Sequence, residues 1–220
     1  MVDLDLLTYL ESFVSEERKA RFQEVLSKRT NFITVVTEDV FQLHNSSAVI
    51  RSCDVFGIQS AHLIEDRFGK RLDKNIAMGA QQWVDVHKYQ NASDCVNKLR
   101  SKGYTIVATT PENDSQLLED FTLEGPIALC FGTEKEGLSD TILEEADIRL
   151  KIPMVGFTQS LNISVSAAII LQELTQKLRQ SDLPWQLTDE EKILLQFDWT
   201  RKSIKHIEDI LGRYKKDTKI

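Results

Sequence analysis

A chain of 220 residues, 41% of them hydrophobic, is long enough for one domain with a sizeable core and helical additions at its ends. No apolar run approaches the roughly 18 residues that a membrane span needs. The first basic side chain is Arg18, after Asp3, Asp5 and Glu11, which is the wrong charge for a secretory signal or a transit peptide.

Three widely spaced cysteines, Cys53, Cys95 and Cys130, form no CxxC pair and read as reduced, packed thiols of a cytoplasmic protein. A net charge of −7 argues against a nucleic-acid partner until its distribution is considered. Residues 16–30 hold five Lys and Arg against three acids, residues 201–220 hold seven against three, and the middle is acidic. Phosphate responds to local potential within a Debye length of about 8–10 Å, not to net charge. By themselves the two basic ends fit either solvated helix faces or a phosphate-binding surface.

Residues 5–29 read as helical in two pieces, with Phe22, Val25 and Leu26 at helical spacing. Asn31–Thr37 is a β-branched apolar run and predicts a strand. Asn45 is a good N-cap for a helix continuing over Ala48–Val55. Ser60–Ile64 and the alternating Trp83–His87 predict strands. Ala92–Arg100 predicts a helix that Gly103 ends. Strands follow at Tyr104–Ala108 and Pro126–Phe131, then a short helix capped by Ser139 and running to Ala146, then a strand at Ile148–Ile152. A long helix opens at Ser160 and reaches about Arg179. Past Pro184, Thr188 and Glu191 have capping-box spacing, and helical segments run to about Tyr214. Strands alternating with helices imply a mainly parallel α/β sheet.

Three segments carry chemistry. His44-Asn45-Ser46-Ser47-Ala48-Val49-Ile50-Arg51 opens the helix after the first strand. Gly132-Thr133-Glu134-Lys135-Glu136-Gly137 follows the apolar strand ending at Phe131. Ile152-Pro153-Met154-Val155-Gly156 then leads into Gln159-Ser160-Leu161-Asn162 at the start of the long helix. Such strand–loop and loop–helix junctions are where α/β proteins bind ligands. Gly132 lets a ligand or another chain segment come close. An apolar loop such as Ile152–Gly156 needs a partner: an adenine ring, another subunit or its own core. Ser160 serves as an N-cap or a ligand contact, and Asn162 in a first helical turn is a local conflict that points to work for its amide. Neither the P-loop GxxxxGK[ST] nor a Rossmann GxGxxG after the first strand is present.

In order, spacing and placement these segments resemble the SPOUT methyltransferases, most closely the TrmH (SpoU) branch. The resemblance runs from about Arg18 to Arg179 and rests on HNxSAxxRxxDxxG and IPMxGxxQSLNxSVxAA. It implies a mainly parallel α/β sheet with a C-terminal deep trefoil knot. The implied organisation is a helical extension over 1–30, a methyltransferase domain over 31–180 and a second helical extension over 181–220. It also implies S-adenosylmethionine as cofactor, S-adenosylhomocysteine as product, no metal, and an active site formed across a homodimer. The positions it assigns to catalysis are Asn45, Arg51, Glu134, Ser160 and Asn162, and those it assigns to the cofactor are Thr109, Gly132, Ile152, Met154 and Leu161.

In that branch the arginine activates a ribose 2′-hydroxyl. A guanidinium stays protonated up to a pKa above ~12, so gripping a phosphate and aligning the hydroxyl suits it better than acting as a base. The nearest relatives of the branch act on the D-loop guanosine 18 of tRNA. The resemblance then makes His44 a candidate RNA contact, with a capping neighbour as the alternative, and gives phosphate-contacting work to Arg18, Lys19, Arg21, Lys28 and Arg29, to Lys177 and Arg179, and to Arg201, Lys202 and Lys205. The stretch Leu174-Thr175-Gln176 is less basic than the relatives' helix end, and Glu136 adds an acid to the glycine loop. A ribosomal-RNA methyltransferase of the same superfamily is the alternative, although only about 30 residues precede the first strand. A knotted RNA-binding protein without catalysis is another.

Overall fold

The computed structural model describes residues 2–40, 43–65, 79–112, 114–133 and 135–217. They fall into two compact units, Thr30–Trp185 and the pair Met1–Arg29 with Gln186–Ile220.

The first unit is built on a sheet. Its elements are β1 (Ile33–Glu38), α3 (Leu43–Phe56), β2 (Ser60–Ile64), β3 (Asp85–Tyr89), α4 (Ala92–Ser101), β4 (Thr105–Thr109), β5 (Gln116–Leu117), β6 (Ile127–Phe131), α5 (Asp140–Glu145), β7 (Ile148–Lys151) and α6 (Ile163–Gln180). Among the described residues seven strands form one sheet in the order β3-β2-β1-β6-β4-β7-β5. Every pairing in it is parallel. Parallel sheets are covered on both faces, so their central strands read as unbroken apolar runs. Strands β1 and β6 are buried at every position. Alternate residues feed two cores. Val35, Val107, Leu129 and Phe131 pack with Ile50 and Cys53 of α3 and with Ala167, Ile170, Leu171 and Leu174 of α6. Val36, Ile106, Ala108 and Cys130 pack on the opposite face with Cys95, Val96 and Leu99 of α4 and Ile142 of α5. All three cysteines are buried and free.

The second unit holds α1 (Leu4–Glu11), α2 (Glu16–Leu26), α7 (Asp189–Ser203) and α8 (Ile207–Asp217). The two terminal extensions therefore join in one body. Trp199 of α7 is 1% exposed, its ring edge-on to Phe22 of α2 at 5.7 Å between centroids. Burying two such rings contributes about 1.5–3 kcal/mol each. Thr188 and Glu191 form the expected capping box at the start of α7.

Three expectations need correction, and one strand went unforeseen. Helix α3 begins at Leu43, so Asn45 lies inside its first turn and does not cap it. Helix α6 begins at Ile163, and its N-cap is Asn162, not Ser160. The strand expected at Trp83–His87 runs over Asp85–Tyr89, because Ala80–Gln82 form a single 3₁₀ turn that Trp83 closes. Strand β5 was not foreseen: two residues are too few for a periodic signal. No described helix is long and apolar enough to cross a membrane.

A histidine pair lies at the β2–β3 edge of the sheet. His62 faces His87 in register, with stacked rings 4.8 Å apart, and His62 Nδ1 is 3.1 Å from the Tyr89 hydroxyl. Burial, with lesser help from His87 and Lys102, pushes the His62 pKa down to about 3 from 6.5. The folded protein thus excludes a proton that the unfolded chain accepts near pH 6.5. The stability it contributes is complete above that pH and is lost as pH falls towards 3. Urea unfolding should register a loss of about 2 kcal/mol between pH 7 and pH 5 from this group. His62→Gln should flatten that slope; an unaltered slope would contradict the assignment.

Candidate active site

Because all strands run the same way, their carboxyl ends share one rim, and the loops leaving that rim enclose a cavity of about 370 Å³. Its wall comes from Thr109 and Thr110 after β4, Gly132 and Gly137 after β6, Ile152 and Met154 after β7, and Ser160 and Leu161 before α6. The five cofactor positions named from sequence, Thr109, Gly132, Ile152, Met154 and Leu161, all meet here, together with Ser160. Leu138, Ile163 and Ile170 supply an apolar floor, while Glu112, Glu136, Lys135 and Lys151 bring charges of both signs. A volume of this order with an apolar lining and a few polar groups suits a small organic ligand.

The glycine loop owes its shape to backbone closeness. The chain after β6 folds back so that Thr133 and Gly137 exchange two backbone hydrogen bonds of 2.9 and 3.0 Å. A Cβ built on Gly132 would lie 2.1 Å from the carbonyl of Gly137 and 2.3 Å from the amide of Leu138. Only glycine fits there, and the close neighbour is the loop's own return limb. Gly137 makes the turn with φ 74°, in the left-handed region that glycine enters without steric cost. The Thr109 hydroxyl donates to the Cys130 carbonyl at 2.8 Å, fixing the end of β4 to the end of β6.

The starts of α3 and α6 meet. Asn162 Oδ1 accepts from the Ser164 amide at 2.9 Å and from its hydroxyl at 2.6 Å, which caps α6. Its Nδ2 donates to Asn45 Oδ1 at 3.3 Å. The Asn162 that looked misplaced in a first turn is therefore a cap, and its amide has a second task in holding buried Asn45. Arg51 is exposed two turns along α3 and is not among the residues lining the cavity. His44 is exposed at the start of α3. Glu134 lies outside the described residues.

The basic positions separate into two groups. Arg18, Arg21, Lys28, Arg201, Lys202 and Lys205 are exposed, and Lys19 is half-buried. Several make helical surface pairs, Lys19 with Glu16 at 2.7 Å, and Arg21 and Lys28 with Glu24 at 2.7 and 2.8 Å. Such pairs stabilise by under ~1 kcal/mol and are readily exchanged for phosphate. The others are built into the fold. Arg29 is 1% exposed with its guanidinium 5.5 Å from the centre of the Trp199 ring, so it cannot face a surface ligand. Lys177 Nζ donates to the carbonyls of Leu118, Glu119 and Phe121 at 3.1, 2.8 and 3.3 Å, which occupies the three donors of an ammonium. Arg179 stays exposed while donating to the Phe56 carbonyl at 2.7 Å beside the Trp185 ring, and partial burial lowers its pKa. Arg29 and Lys177 serve packing, which a count of Lys and Arg along the chain does not reveal.

One participant escaped the sequence reading. Glu38 closes β1 and is 6% exposed. Its two carboxylate oxygens accept from Ser139, 2.8 Å from the amide and 2.6 Å from the hydroxyl. The available signal was a lone acid ending a strand otherwise buried throughout. Among the described residues no group of three or more His, Cys, Asp or Glu is placed to hold a metal ion.

A family of this build is well defined. Residues 32–172 match the SpoU rRNA Methylase family. The chain is 41% identical over 201 residues, 91% of its own length and 92% of the relative's, to a protein of Borreliella burgdorferi named tRNA (guanosine(18)-2′-O)-methyltransferase. A Thermus thermophilus protein of the same name is 35% identical over 192 residues, covering 86% of this chain and 98% of the relative. The crystal structure of the A. aeolicus TrmH/SpoU tRNA modifying enzyme superposes with a TM-score of 0.77 at 31% identity, covering 86% of this chain and 98% of that one. The chain belongs to the SpoU methylase family.

The glycine loop gives a direct check. Gly132→Ala forces the return limb away and should destabilise the protein by about 3 kcal/mol in urea unfolding. Gly125→Ala, where an added Cβ meets nothing within 4 Å, should change stability by under ~0.5 kcal/mol. Equal effects would mean that the close approach at Gly132 is not a constraint.

Proposed function

We propose that this protein transfers a methyl group from S-adenosylmethionine to the ribose 2′-hydroxyl of guanosine 18 in the tRNA D-loop. The observation that carries the reading is the convergence of Thr109, Gly132, Ile152, Met154 and Leu161 on one cavity, with Ser160 beside them. Similarity to relatives named for that reaction supports it and extends over 91% of the chain, beyond the part matched by the family model.

The residues present fit the cofactor. Apolar Ile152, Met154 and Leu161 suit a purine ring, and backbone groups of the Gly132–Leu138 loop suit its polar edge and the ribose. Lys and Glu at the mouth suit the zwitterionic amino-acid end. When bound, the cofactor supplies an electrophilic methyl group on a sulfonium, which needs no metal. The chain does the rest by position. Asn162 and Asn45 hold the two helix starts together. Ser160 stands in the cavity wall as a hydroxyl partner for substrate. Arg51 offers five donors in a fixed fork to the phosphate beside the target, holding the 2′-hydroxyl in line. The hydroxyl proton leaves for phosphate, water or a transiently neutral Arg51. Glu134 belongs to the same loop and is assigned to the substrate side.

The active protein is a homodimer. Val155 and Phe157 in the apolar loop are fully exposed, and Met154 with Val165 and Ile169 of α6 are exposed as well. A concentration of large exposed apolar side chains supports an interface. A second copy also gives Arg51 a route to a cavity that its own chain does not let it line. His44 contacts the RNA at the start of α3. Arg18, Lys19, Arg21, Lys28, Arg201, Lys202 and Lys205 contact phosphates, which position tRNA without reading its sequence. The family's knot surrounds the cofactor, and the protein works in the cytoplasm.

Incubation with labelled methyl donor and unmodified tRNA, followed by nucleotide mapping, should place the methyl group on guanosine 18. Arg51→Ala should lower transfer at least about 1,000-fold with cofactor affinity kept. Label found only in ribosomal RNA, or full transfer by Arg51→Ala, would refute the reading. Phe157→Asp should convert the dimer to a monomer in light scattering and remove activity; a stable, active dimer would refute that interface.

A further inference from the structure

One wall of the cavity is the loop after β6, where Thr133 and Gly137 are held together by two backbone hydrogen bonds. Its incoming limb is fixed by β6. Its outgoing limb is followed by Ser139, and what holds Ser139 comes from a strand 101 residues away. Strand β1 pairs with β6 up to Thr37 opposite Phe131, so Glu38 stands in register beside the point where the loop departs. From there both of its carboxylate oxygens take Ser139, one its amide at 2.8 Å and the other its hydroxyl at 2.6 Å. The same hydroxyl oxygen accepts from the Ile142 amide at 3.4 Å and caps α5. Leu138, between Ser139 and the loop, is buried with Val36, Ile64 and Ile142.

We infer that Glu38 is a positioning residue for the cofactor cavity: by clasping Ser139 it sets the return limb of the glycine loop at the height the ligand requires. A buried carboxylate that accepts two hydrogen bonds is worth more than a neutral pair, and it is costly to leave half-satisfied. Shifting Ser139 shifts Leu138 and Gly137, and Gly137 already lies against Gly132 with no room to spare. The clasp therefore reaches the ligand wall through backbone alone. This inference rests on the methyl-donor reading of the cavity for its functional consequence, and on geometry alone for the clasp.

The test uses the full-length protein and two readouts. Backbone hydrogen exchange without ligand follows the Thr133 and Gly137 amides, and calorimetric titration with S-adenosylhomocysteine follows the cavity. Glu38→Gln and Ser139→Ala should each speed exchange at those amides by about tenfold and weaken ligand binding by about tenfold. Ser139→Thr, which keeps hydroxyl and amide, should stay within about twofold of the parent, and the double variant should be no worse than the weaker single. Loop exchange and affinity unchanged in Ser139→Ala, or a uniform rise in exchange over the whole sheet with affinity kept, would overturn the role. Absence of ligand binding by the parent protein would refute the donor reading, while loop exchange would still decide the clasp.

Discussion

The parallel pairing of β1, β6, β4 and β7 is the constraint from which the remaining features follow. It sends four chain segments out of one rim, so residues far apart in sequence enclose a single cavity without a dedicated scaffold. The register is held by burial on both faces. A one-residue slip of β6 would exchange Leu129 and Phe131, which face α3 and α6, with Ala128 and Cys130, which face α4 and α5. Small side chains would then meet the large helices and large ones the small gap. The cavity therefore inherits its position from side chains that never touch a ligand.

Within that frame the site is made mainly of backbone. Gly132 removes a side chain so that a loop closes on itself, Gly137 turns that loop with φ 74°, and Asn162 uses one amide for capping α6 and for Asn45 together. Polar side chains at the rim are tied to other parts of the fold, Thr109 to Cys130 and Glu38 to Ser139. This economy suits a ligand with a flat base, a sugar and a zwitterion, for which shape and a few hydrogen bonds suffice. Catalytic power then comes from alignment of two reactants, a term that can supply several kcal/mol by itself.

Much of this was legible in the chain. A β-branched run gave β1 and a fully apolar one β6, caps at Ser139 and Thr188 were read correctly, and Thr109, Gly132, Ile152, Met154 and Leu161, from separate segments, line one cavity. What stayed hidden has physical causes. Whether Ser160 or Asn162 caps α6 depends on how three loop residues run, and both types are good caps. Lys177 and Arg29 look like surface cations because sequence does not show the carbonyls and the indole ring that claim them. A two-residue strand leaves no period, and the hold of Glu38 on Ser139 spans 101 residues.

The central claim is that the rim cavity, and no other part of the chain, receives the methyl donor. A structure determined with S-adenosylhomocysteine bound measures this most directly. The account predicts the purine against Ile152, Met154 and Leu161, with the Gly132–Leu138 backbone along one side. A nucleoside bound outside that rim, or a cavity still empty at saturating ligand, would contradict it.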